Sequence, residues 1–137
     1  MNRRDLQRLA NARIVEAKAL LVAGHYSGAY HLAGLAVECA LKACIAKRTK
    51  AHTFPDKNLA AESYSHDLTK LRRLADLDAQ FLHDAKSDPA LVANWTVVKD
   101  WAIESRYETK TAQQAKDLYD AVYRRQSGVL RWIRRRW

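Results

Sequence analysis

From Ser27 to Arg48 the chain runs without a proline, and its apolar residues fall on two faces of one helix. Tyr26, Ala29, Tyr30, Ala33, Val37, Ala40, Leu41 and Cys44 make one face at 100° per residue. Leu32, Leu35, Cys39, Ala43 and Ala46 make the other, leaving a narrow polar seam of Ser27, His31, Glu38 and Lys42. A helix apolar on two sides is a central helix, or one that also serves a subunit interface. A chain built around it is expected to be a helical bundle.

The remaining segments agree. Only four glycines and two prolines occur in 137 residues, which leaves few turns and argues against a many-stranded fold. Leu6, Leu9, Ala10, Ile14, Ala17, Leu20 and Leu21 predict a first helix from about Arg4 to Ala23, stopped by Gly24. Arg13 falls inside that apolar arc, so it calls for a partner. Residues 49–65 read as a long loop. A short helix with Leu68, Leu71, Leu74 and Ala75 inward follows, capped by Ser65 or Asp67. Asp78 opens another short segment, and Asp88-Pro89 starts the next helix. There Leu91, Trp95, Val98 and Ala102 form a stripe, with Trp101 beside it. After a loop at Arg106-Tyr107-Glu108, Thr111 caps a last helix expected to run nearly to the end, with a bend at Gly128. The expectation is an all-α single domain over residues 1–137, a bundle of four to five main helices. A domain of this size buries roughly two thirds of its unfolded surface.

Composition narrows the class further. The two cysteines, Cys39 and Cys44, lie in one apolar helix and point different ways, so buried reduced thiols and a cytoplasmic location are expected. Residues 1–15 lack the apolar centre of a signal peptide, and no unbroken run of 18 apolar residues marks a membrane span. The five histidines lack metal-binding spacing. There is no Walker loop and no dinucleotide fingerprint, so neither a metal nor a cofactor is expected. The net charge is +9. Arg124, Arg125, Arg131, Arg134, Arg135 and Arg136 supply six of those charges in a stretch without a single acid, leaving +3 elsewhere. Such a local cationic end suits nucleic acid or another polyanion, or else is a solvated helix end complementing the helix dipole.

Several segments together resemble one family. Ala17-Lys18-Ala19-Leu20-Leu21 is followed by Gly24-His25-Tyr26-Ser27-Gly28-Ala29-Tyr30 and by Ala33 to Ala43 with its Ala36-Val37-Glu38-Cys39-Ala40-Leu41-Lys42-Ala43 core. His66-Asp67-Leu68 opens a short helix, and Trp101 through Ser105-Arg106-Tyr107 precedes the last one. In order and spacing these resemble the HEPN family (higher eukaryotes and prokaryotes nucleotide-binding domain). The resemblance implies a bundle that is often a homodimer, tied to RNA or nucleotide biology, and working with a nucleotidyltransferase-type partner in toxin–antitoxin-like systems. Active members are metal-independent RNases with an Arg, four to six residues and a His. Arg106 stands near that place, but no histidine follows His83. Arg48 and His52 have only three residues between them. An RNase of this kind needs a group that exchanges a proton with the ribose, and Arg106 stays protonated.

The sequence therefore does not mark the chain as an enzyme. The first reading is a non-catalytic binding or regulatory module. The alternatives are a diverged RNase and a structural homodimer that docks on another protein through its basic end. The candidate polar cleft comprises Arg13, His31, Glu38, Lys42, His66, Trp101, Arg106 and Tyr107. Glu38 and Lys42 make at least an i, i+4 surface pair, worth about 0.3–0.5 kcal/mol. Within mostly apolar surroundings Glu38 also calls for an arginine, Arg13 or Arg106. Trp101 and Tyr107 are either core packing or stacking groups.

Overall fold

The computed structural model describes residues 1–51 and 57–137, and all regular structure in them is helical. Eight α-helices run α1 (Arg3–Val22), α2 (Tyr26–Ala51), α3 (Lys57–Glu62), α4 (Leu68–Leu74), α5 (Asp78–Ala85), α6 (Pro89–Val98), α7 (Ala112–Tyr123) and α8 (Val129–Arg134). A 3-10 turn spans Ile103–Tyr107. Four helices, α1, α2, α6 and α7, have ten residues or more, in keeping with a bundle of four main helices.

Local chemistry sets most of the boundaries. Asn2 caps α1 in a reciprocal box with Asp5, and Thr111 does the same for α7 with Gln114. Asp67 accepts the Lys70 N–H to start α4, and Asp88 accepts that of Leu91 ahead of Pro89 to start α6. The 49–65 loop contains α3, and α2 runs three residues further than expected, as far as Ala51. His52 lies outside the described residues, while Arg48 donates to the Leu74 carbonyl at 2.7 Å.

α2 is the axis of the molecule, packed by α1, α4, α7, α8 and the 3-10 turn. By length and composition the stretch Tyr26–Thr49 could cross a membrane, yet 67% of its most apolar window is buried inside the protein. On the first face Ala33, Val37, Ala40, Leu41 and Cys44 are buried, whereas on the second Cys39 and Ala43 are buried and Leu32, Leu35 and Ala46 are half-buried. The first apolar face of α2 therefore has its explanation inside the bundle. Cys39 and Cys44 are buried free thiols, and burial pushes the Cys44 thiol up to about 11.

The last helix departs from expectation. It breaks at residues 124–128, and α8 begins afresh at Val129. Ser127 adopts φ 62°, its hydroxyl donates to Asp88 at 2.8 Å, and its carbonyl accepts from buried Asn94 at 2.8 Å. A β-carbon at Gly128 would collide with the Arg124 carbonyl oxygen, so the turn requires glycine there. The bend expected at Gly128 is a complete interruption, pinned to the start of α6. α8 is then held by Asp84, whose Oδ2 accepts from Trp132 Nε1 and Arg136 Nη2, each at 2.8 Å.

Candidate functional site

The seam on α2 meets the segment Lys99–Arg106 and the start of α4. Glu38 is 4% exposed. Its Oε1 accepts from Lys42 Nζ at 2.8 Å and from His66 Nδ1 at 2.9 Å, whereas Oε2 is buried with no hydrogen-bond partner. The expected arginine partners are elsewhere. Arg13 donates to Glu16 at 2.7 Å, which also answers its place within the apolar arc of α1. Arg106 is exposed, and its guanidinium lies 4.8 Å from the Tyr107 ring centre. The cation that Glu38 needs comes from its own helix, and a histidine from the start of α4 completes the cluster. An ionised carboxylate only accepts, so Nδ1 of His66 is the donor of that pair.

Trp101 separates this cluster from a second one. It is 2% exposed, and its indole lies against Gly34, midway between His31 and Glu38 along α2. The His31 and Trp101 rings stack at 5.9 Å. His31 Nδ1 is 3.4 Å from the hydroxyl of buried Ser105. Burial, and then the positive charge of Arg106, hold the His31 pKa below its ordinary value, opposed by Glu38. The two clusters thus share an electrostatic environment along one seam.

A cavity of about 540 Å³ opens beside His66, lined also by Thr69, Lys99, Trp101 and Ile103, and by the carboxylates Asp67, Asp100 and Glu104. The buried Trp101 Nε1 has no partner. Of the expected cleft residues, His31, Glu38, Lys42, His66, Trp101 and Arg106 gather on this side. Arg13 does not join the Glu38 cluster, and Tyr107 is 79% exposed. Ser105 and the acidic lining were missed. Ser105 sits in the Ser105-Arg106-Tyr107 stretch already noted, but nothing in that stretch says that its hydroxyl turns toward His31. Among the described residues no group of three metal-ligating side chains comes together.

The six arginines divide in two. Arg124, Arg125 and Arg135 are exposed, and among the described residues no carboxylate pairs with them. Arg131, Arg134 and Arg136 are half-buried. Arg131 lies 5.1 Å from the Tyr123 ring, Arg134 lies 5.8 Å from that of Trp137, and Arg136 pairs with Asp84 at 2.8 Å. The break before α8 puts Arg124 and Arg125 on one side of it and Arg131 to Arg136 on the other.

Comparison with known proteins finds no matching family model, no similar curated protein and no similar solved structure.

Proposed function

We propose that the protein is a HEPN-like binding or regulatory module without a catalytic role, and that its ligand is a polyanion such as RNA. The observation that carries this reading is the exposure of Arg124, Arg125 and Arg135, with no carboxylate partner among the described residues, in a segment free of acids. Unpaired guanidinium groups release counterions when they meet phosphates, and that gain is indifferent to base sequence. The family resemblance extends the proposal to a cytoplasmic homodimer beside a nucleotidyltransferase-type protein, in a toxin–antitoxin-like or RNA-related system. For the dimer, support comes from α1, where Val15 and Val22 are 68% and 76% exposed. Binding of labelled RNA by the full chain, titrated with salt, tests the polyanion reading. Light scattering at micromolar concentration tests the dimer.

The second reading is the diverged, metal-independent RNase. It is favoured by His66, oriented by Glu38, and by His31 beside Arg106, because both imidazoles can exchange the proton that Arg106 cannot. Against it stands the lining of the cavity next to His66, where three carboxylates face one lysine and oppose a phosphodiester. Incubating labelled RNA with the wild type, His66→Ala and His31→Ala decides between the two. Cleavage lost in either variant would establish the RNase.

A further inference from the structure

A second hollow lies where the first turns of α1 meet the arginine-rich segment. It measures about 510 Å³ and is lined by Arg4, Gln7, Arg8, Asn11 and Trp137. The four α1 residues sit at i, i+3, i+4 and i+7, which places them on one face of the helix. Arg134 reaches across from α8 to donate to Asn11 Oδ1, while its guanidinium stays near the Trp137 ring. Arg4 is exposed and has no carboxylate partner among the described residues. Arg8 is bound to Asp5 at 2.7 Å, so part of its charge is already met.

We infer that this hollow holds one nucleotide of a single-stranded nucleic acid, with its base against Trp137 and its flanking phosphates on Arg4, Arg8 and Arg134. The inference rests on the polyanion reading and adds to it a place and a strand type. Three features converge. An aromatic ring offers a stacking surface to any base, and this is how strands are held without sequence preference. Guanidinium groups border that ring and match phosphate oxygens. The side-chain amide of Gln7 carries a donor and an acceptor suited to a base edge, and Asn11, whose Oδ1 is engaged by Arg134, adds its Nδ2 donor. The volume falls within the range of small-ligand sites. In a duplex the bases are already stacked on one another, so duplex can use the arginines but not the ring.

The test compares three short labelled DNA probes of equal length on the full chain at low salt: a single strand, the same strand without bases, and a duplex. The intact strand is expected to bind about 5- to 150-fold more tightly than the abasic one, the range of a single base–aromatic stack. Trp137→Ala should abolish that preference, and Trp137→Phe should keep most of it. Arg4→Gln with Arg8→Gln should weaken the intact and abasic strands alike. Intact and abasic strands binding equally well would overturn the inference while leaving the polyanion reading in place. Duplex binding more tightly than the intact single strand would overturn it as well. No binding of any probe would remove both. The wild-type comparison needs no variant, so a misfolded Trp137→Ala protein would not rescue the idea.

Discussion

The indole of Trp101 occupies the space that a side chain at position 34 would fill. Gly34 is thus the notch in α2 that lets Trp101 reach the seam and stand between His31 and Glu38. Gly34→Ala should force the indole out, as overpacking a core does, at a cost of about 1–3 kcal/mol. Chemical denaturation checks the loss, and tryptophan emission checks the displacement. A midpoint equal to the wild type would show that the close approach has no structural weight.

Glu38→Ala leaves Lys42 and His66 without their shared acceptor. Lys42 is one-fifth exposed and His66 about half exposed, so water compensates part of the loss. The expected cost is about 1–3 kcal/mol, the range for removing one partner of a charged hydrogen bond. A deeply buried arginine pair would have cost about 3–5 kcal/mol. Thermal or urea unfolding separates the two, and no change at all would mean that the cluster is only a surface pair.

His31 should make stability depend on pH. Its pKa is below the ordinary 6.5 in the folded protein, so the unfolded chain takes up the proton first as pH falls. The stabilisation is present above about pH 6.5 and is lost as pH drops through the folded value. Wild type should lose stability more steeply than His31→Gln between about pH 7 and pH 5. Arg106→Gln removes one of the two causes and should move the imidazole titration upward, readable by proton NMR. An unmoved titration would separate Arg106 from the seam.

Much of the bundle is legible in the residues because its signals are local. Asp67, Asp88-Pro89 and Thr111 start helices through bonds to atoms three residues away. The break at residues 124–128 is hidden because its causes are distant: Ser127 reaches Asp88 and Asn94, far back in the chain. The cleft was half legible for the same reason. The polarity of His31, Glu38 and Lys42 stands out against an apolar helix, so the seam is readable. Which group answers Glu38 is a matter of packing, and it is His66 that arrives. The arginine cluster is plain in composition, but its division into exposed and half-buried members follows from aromatic neighbours and from Asp84, which no spacing reveals.

The most direct test of polyanion binding through the exposed arginines is the salt dependence of single-stranded RNA affinity. Wild type is compared with the triple variant Arg124→Gln, Arg125→Gln, Arg135→Gln. These three are exposed and unpaired among the described residues, so the fold should survive their replacement. The three phosphates these residues engage should contribute about a 20-fold fall in affinity between 50 and 200 mM salt, and the logarithmic slope of the variant should be shallower by about 2. Equal slopes in the two proteins, or no RNA binding by the wild type at the lower salt, would contradict the proposal and leave the segment as a protein-docking element or a solvated helix end.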